Sequence, residues 1–264
     1  MAVRQDVDRL TMAGWGALLM PLLTMWHEIA GHAAACTLQG GHVAMIGAFY
    51  VECTGLSGVA DIVVAGAGVA MNIVLALIAY ACWRRATGDG ARLMLWLVWV
   101  SEAFVAAGYF CFSGVTGVGD LGTSAQGSLA ALPMPLGWRL GEIGIGIGAY
   151  ILMVRAAVAA LSTMLGTGAA TRPARRRIAH IFYAASGLGA VVVGLLNPVG
   201  LFVTIMSAAA SSFGGLAGFI SIGFAAGGAE APRAFVVRRQ WAVILGGGIV
   251  LTIFAVVLGP SVRL

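Results

Sequence analysis

Hydrophobic residues follow one another along this chain in long runs instead of alternating with polar residues. Seven of these runs approach or exceed the roughly 20 residues that a helix needs to cross a bilayer. They cover residues 11–38, 59–83, 93–115, 141–165, 178–196, 201–224 and 241–258. The pattern predicts an all-α integral membrane protein, a polytopic bundle of about seven transmembrane helices.

Polar segments between the runs predict how the bundle is organised. Residues 41–57 mix apolar with small and polar side chains, which predicts a short hairpin or a re-entrant segment after the first helix. The stretch 171–177, with four arginines and a proline, is predicted to be a loop. It divides the chain into a four-span core, 1–170, and a C-terminal three-helix region, 171–264.

The composition supports the bilayer as the solvent of this chain. Hydrophobic residues make up 60% of the sequence and charged residues only 9%, whereas a soluble domain carries about 25% charged residues. The four cysteines form no CxxC pair, and we expect them to act as small apolar side chains in helix packing. They are Cys36, Cys53, Cys82 and Cys111.

The net charge of +5 comes from arginines that lie in short clusters between the apolar runs. That distribution is typical of cytoplasmic loops and not of a nucleic-acid-binding surface, so no nucleic-acid partner is predicted. A cytoplasmic N-terminus places twelve arginines inside and two outside. The twelve are Arg4, Arg9, Arg84, Arg85, Arg92, Arg172, Arg175, Arg176, Arg177, Arg233, Arg238 and Arg239. We expect this orientation in the plasma (inner) membrane of a bacterium.

The first apolar run contains three ionisable residues, His27, Glu28 and His32. Such residues are costly inside a membrane and indicate function. They resemble the HExxH motif, in which two histidines four apart bind Zn²⁺ and the glutamate is a general base. The alternative without metal is a hydrogen-bonded cluster between helices.

The motif here reads HExxxH, so its histidines are five residues apart. On a regular α-helix that spacing turns them about 140° away from each other, while Glu28 and His32 share a face. Either His27 and His32 do not bind one metal ion together, or the helix widens into a π-bulge between them. Gly31 would ease such a distortion.

Two further segments resemble the site-2 protease family of intramembrane zinc proteases. Residues 65–72, Ala-Gly-Ala-Gly-Val-Ala-Met-Asn, are similar to its AGPxxN pattern, with Ala67 in place of proline. Residues 119–122, Gly-Asp-Leu-Gly, stand where the family has the aspartate that is its third metal ligand. The resemblance covers roughly residues 20–125 and implies a zinc-dependent peptidase that cleaves a transmembrane or membrane-proximal segment of another protein.

The resemblance implies a role for each matching residue. His27, His32 and Asp120 would bind the zinc ion, and Glu28 would be the general base. Asn72 would donate a hydrogen bond to the developing oxyanion, or else bond across helices. Glu102, in the middle of the third run, competes with Asp120 as third ligand, and we expect Asp120.

Two other classes of protein would use the same buried residues without hydrolysis. One is a transporter or metal-binding membrane protein, and the other is a pseudoprotease that binds its clients. The sequence predicts the lipid bilayer and a transmembrane protein substrate as partners, and it leaves the oligomeric state open.

Overall fold

A computed structural model describes residues 4–125 and 127–264 as a helical bundle. Six helices in these ranges are long and apolar enough to cross a membrane. The elements are β1 (Gln5–Val7), α1 (Arg9–Met25), π-helix π1 (Trp26–Ala33), α2 (Ala34–Leu38), β2 (His42–Ile46), β3 (Val51–Thr54), α3 (Val59–Arg85), α4 (Asp89–Thr116), α5 (Pro135–Leu165), β4 (Gly166–Thr167), a 3₁₀ turn (Ala169–Thr171), α6 (Arg172–Gly194), α7 (Leu201–Val203), π-helix π2 (Thr204–Gly215), α8 (Gly218–Phe224), β5 (Ala231–Pro232), β6 (Phe235–Val237), α9 (Trp241–Leu258) and β7 (Val262–Arg263).

The outer surface of the bundle is apolar. On α9 the side chains of Leu245, Ile249 and Ile253 follow one another at four-residue spacing and are 57–60% exposed. A row of large apolar side chains facing outward is costly in water and stable against lipid tails. The exposed faces of these helices are therefore compatible with a membrane protein.

α1 and α9 lie side by side and run in the same direction. β1, just before α1, pairs in parallel with β6, just before α9. At the other end β2 pairs with both β3 and β7, which follows α9. A Cβ on Gly14 would lie 2.9 Å from Ile244 Cα, so this glycine lets the two helices approach closely. The segment 41–57 is thus a hairpin, one of the two predicted possibilities.

The prediction that the cysteines only fill space is wrong for two of them. Cys36 and Cys53 form a disulfide across a sequence separation of 17 residues. It ties the end of α2 to β3, because the hairpin folds back towards the helix. A Cβ on Gly41 would lie 2.9 Å from both sulfur atoms, so a glycine leaves room for the bond.

The prediction of a loop at 171–177 is also wrong, because α6 begins at Arg172. Pro173 lies in the first turn of the helix, where its missing N–H costs nothing and its fixed φ is favourable. The Arg175 side chain is buried and donates hydrogen bonds to Thr171 Oγ1 and Gly166 O. This arginine therefore holds the α5–α6 turn together instead of lying in a solvated loop.

Candidate metal centre

The π-helix π1 brings the two histidines of the first helix together. Its backbone hydrogen bonds close five residues apart instead of four, so side chains at i and i+5 come to lie on one face. His27 Nε2 and His32 Nε2 are 3.1 Å apart, and both residues are buried. Of the two alternatives that the sequence left open, the structure has the widened helix.

Two glycines bring α3 against π1. A Cβ on Gly31 would lie 2.7 Å from Gly68 Cα, so neither position leaves room for a side chain. This close approach places two hydrogen-bond acceptors of α3 beside the imidazoles. They are the Val64 carbonyl, 2.8 Å from His32 Nδ1, and Asn72 Oδ1, 3.2 Å from His27 Nδ1.

These two contacts orient the imidazoles. A backbone carbonyl only accepts, so His32 Nδ1 carries the proton that it donates to Val64 O. In the same way His27 Nδ1 donates to Asn72 Oδ1. A metal ion at Nε2 would find both rings already oriented, since metal-bound histidines are commonly held by a second hydrogen bond from Nδ1.

Asp120 brings a carboxylate oxygen to the same point. Its Oδ2 lies 3.4 Å from His27 Nε2 and 3.3 Å from His32 Nε2. The loop after α4 turns back towards the first helix at Gly117 and Gly119, which have φ of 74° and 93°. Partial burial alone would raise the pKa of the Asp120 carboxyl, but the His32 and His27 imidazoles outweigh it and lower the pKa below its usual range.

The three atoms fit the ligand set of one metal ion. A tetrahedral ion with bonds of about 2.0–2.1 Å separates its ligand atoms by about 3.3–3.4 Å, close to the spacing of this triangle. Asp120 Oδ2 makes no hydrogen bond among the described residues, and a metal ion bound between the three atoms would supply it with a partner. A Cβ on Gly68 would lie 2.5 Å from both Nε2 atoms, and the glycine keeps that space free.

Glu28 lies beside this triad and is not part of it. Its side chain is buried, and Oε2 has no hydrogen-bond partner in the described ranges. It lines a cavity of about 320 Å³ together with His32 and Asp120, bounded on the outside by Tyr50 and Val51 of the hairpin. A ligand in this cavity would meet the carboxylate and the open side of the triad together.

The structure leaves both roles considered for Asn72 open, and it distinguishes the two candidates for the third ligand. Asn72 makes the interhelical contact to His27, and its Nδ2 stays without a partner among the described residues. Asp120, and not Glu102, belongs to the group whose ligand atoms lie within 4.8 Å of one another. Glu102 lines a different cavity with His27 and Glu28.

Three contributors to the site gave no signal in the sequence. The Tyr109 ring stacks on His27, with centroids 4.9 Å apart and planes 15° from parallel. The Val64 carbonyl is a backbone group, and Gly68 is one of many glycines in the chain. Each acts through its position in the fold, which residue type alone does not reveal.

Comparisons with protein-family models, with curated proteins and with solved structures found no match to this chain. The resemblance to site-2 proteases therefore depends only on the motif residues themselves.

Proposed function

We propose that this protein is a membrane-embedded, zinc-dependent peptidase that cleaves a transmembrane or membrane-proximal segment of another protein. One observation carries the proposal: the ligand atoms of His27, His32 and Asp120 converge on one point beside the buried carboxyl of Glu28, whose Oε2 has no hydrogen-bond partner among the described residues. Buried polar groups are normally hydrogen-bonded, so the open Glu28 oxygen beside the triad is a position where a water molecule or a substrate group would bind.

In this proposal the helical segment formed by α1, π1 and α2 also crosses the membrane, which brings the number of spans from six to seven. It lies parallel to α9, and strand pairs join the two helices at both ends. The Cys36–Cys53 disulfide favours an oxidising compartment on the side of the hairpin. That agrees with the arginine distribution, which puts the N-terminus in the cytoplasm of a bacterium and the hairpin outside its inner membrane.

Two imidazoles and a carboxylate, with a position left open, form the donor set of a catalytic zinc site. When bound, zinc would lower the pKa of a coordinated water and polarise the scissile carbonyl. The protein's own residues do the rest. Glu28 is placed to take a proton from the attacking water and to pass it to the leaving amine. Asn72 Nδ2 is free to donate to the carbonyl oxygen.

The cavity of about 320 Å³ beside Glu28 is the proposed entrance for the substrate. Its volume falls within the range of ligand pockets, about 300–1,000 Å³. The hairpin and the Asp120 loop form its walls, so a peptide segment would reach the triad from the hairpin side of the bundle.

Glu28→Gln tests the proposal, because a general base is needed for turnover but not for metal binding. The purified protein in detergent micelles, loaded with zinc, would be given a pool of synthetic peptides with about 20 apolar residues between arginines. We expect wild type to cleave members of the pool and Glu28→Gln to cleave them about 10²- to 10⁴-fold more slowly. Elemental analysis should find the same zinc content in both.

Glu142→Gln is the matched control, since Glu142 is also buried and unpartnered among the described residues but does not line the cavities beside the triad. It should keep both zinc and turnover. Zinc-loaded wild type that leaves every peptide intact would contradict the peptidase, and a non-hydrolytic transporter, metal-binding protein or pseudoprotease would replace it. Loss of zinc in Glu28→Gln would make Glu28 a ligand instead of a base.

A further inference from the structure

A second cavity is lined by Glu28 together with Phe49 of the hairpin. Its volume is about 60 Å³. A water molecule needs roughly 10–15 Å³ on such a measure, so the cavity has room for a side chain of a few heavy atoms. Its walls come from α1, π1 and α4 and, across the bundle, from Phe182 of α6 and Ser212 of π2. The C-terminal helices thus complete a compartment that is also lined by His27 and Glu28.

Polar atoms without partners line this cavity. Among the described residues, Ser101 Oγ, Glu102 Oε2 and Asn72 Nδ2 are buried and make no hydrogen bond, and the three residues are only 1–2% exposed. Leaving such groups unsatisfied in a membrane protein is costly. No arginine lines the cavity in the described ranges, and the chain has no lysine, so neither of these cations pairs with Glu102 there.

One side of α4 connects the cavity with the metal ligands. Ser101, Glu102, Val105 and Tyr109 line it from one side of that helix, and Tyr109 stacks on His27. Glu102 and Tyr109 are seven residues apart, about 10 Å along the helix axis. An extended peptide covers that distance in about three residues.

We infer that this cavity is a specificity pocket, which takes from the substrate a small side chain carrying an N–H or O–H donor. Glu102 and Ser101 are its recognition groups, and the side chain belongs to a residue within about three positions of the scissile bond. The inference rests on the proposed peptidase function and adds the kind of residue that the substrate must carry there. Asparagine and threonine fit by size and by donor.

Isosteric guest residues test the pocket. Peptides cleaved by wild type would be remade with asparagine or leucine, and with threonine or valine, at each of three positions on either side of the bond. We expect one position at which asparagine exceeds leucine and threonine exceeds valine in kcat/KM by about tenfold or more. In Glu102→Met, which keeps the volume and removes the carboxyl, the ratio should fall to about two or invert.

Glu142→Met is the control, because it makes the same change at a buried, unpartnered carboxyl away from the cavity. It should leave the ratio unchanged. The pocket is contradicted by wild-type cleavage without preference at all six positions, or by a Glu102→Met enzyme that keeps the wild-type ratio.

Peptide binding tests the pocket independently of cleavage, in variants that are catalytically inactive. The same labelled peptides would be titrated by fluorescence anisotropy into Glu28→Gln and into the double variant with Glu102→Met. We expect a Kd ratio of tenfold or more between the leucine and asparagine peptides in the first protein, and its loss in the second. Selective binding without wild-type cleavage would remove the peptidase and keep the pocket. Cleavage without selectivity would contradict the specificity pocket and leave the peptidase function standing. If the protein neither cleaves nor binds selectively, both proposals are wrong.

Discussion

Gly68 is the residue whose side chain, if it had one, would most directly obstruct the metal centre. A Cβ there would lie 2.5 Å from the Nε2 atoms of both His27 and His32, a distance that real Cβ atoms do not tolerate. The imidazoles cannot retreat without breaking their hydrogen bonds to Val64 and Asn72. The glycine therefore protects the space that the metal would fill.

We expect Gly68→Ala to weaken zinc binding about tenfold or more, in the range seen when the surroundings of metal ligands are changed. Competition with a chelator of known affinity would measure this in detergent. Gly66→Ala is the control, because Gly66 has open space on the same helix and its alanine should bind zinc like wild type. Equal zinc affinity in the two alanine variants would show that the metal does not lie between these imidazoles.

Asp8 is the N-cap of the first helix and also joins it to α9. Its carboxylate accepts hydrogen bonds from Thr11 N at 2.9 Å and from Arg239 at 3.1 and 3.2 Å. Partial burial alone would raise the pKa of Asp8, but the hydrogen bonds from Thr11 and Arg239 outweigh it and lower the pKa. A carboxyl whose pKa is lowered on folding stabilises the fold above its unfolded pKa of about 3.9 and loses that contribution as the pH falls further.

Asp8→Ala should therefore cost about 1 kcal/mol near pH 7, the usual value of a lost N-cap. Thermal unfolding in detergent would measure it as a lower Tm, and the difference from wild type should shrink as the pH drops from about 5 to below 3. Asp6→Ala serves as the comparison, because the Asp6 side chain is 55% exposed and its ion pair with Arg177 is loose. A pH-independent loss in Asp8→Ala would mean that its charge plays no part.

The HExxxH spacing predicted a π-helix on the condition that both histidines bind one metal ion, because only a widened turn puts residues five apart on one face. Hydrophobic runs predicted most helices, with α9 matching residue for residue and α5 starting earlier, at Pro135. The Cys36–Cys53 bond was not predictable, since it depends on how the hairpin folds back. The start of α6 was obscured because arginines suggest a loop, while Pro173 and the buried Arg175 suit a helix.

The bundle as a whole places its connecting segments at two ends, and that arrangement predicts a topology. β1, β4, β5 and β6 gather around the N-terminal ends of α1 and α9, and the hairpin with β7 lies at the other end. We expect reporter fusions at Gly88, Gly168 and Gly228 to report cytoplasm. Non-reducing gels should show the Cys36–Cys53 cross-link in wild type and lose it in Cys53→Ala.

A reporter fusion at Gly55 of the hairpin is the control, because it should lie outside the cytoplasm. Fusions at Gly88 and Gly168 that report opposite sides would contradict the parity of the spans. A cross-link that forms only after cell lysis would place the hairpin in a reducing compartment.

Because α1 packs beside α9, the last long helix of the chain, it gains this neighbour only at the end of synthesis. The residues of the site are translated early: His27, Glu28, His32 and Asp120. In the proposed membrane topology the first helix is inserted long before α6, π2 and α9 are synthesised. Until those helices are inserted, α1 lacks its neighbours, and the cavity between Glu28 and Glu102 lacks the wall that α6 and π2 provide. A nascent chain therefore holds its metal ligands before the cavity is complete, and under the proposed peptidase function it would gain its substrate compartment only at the end of synthesis.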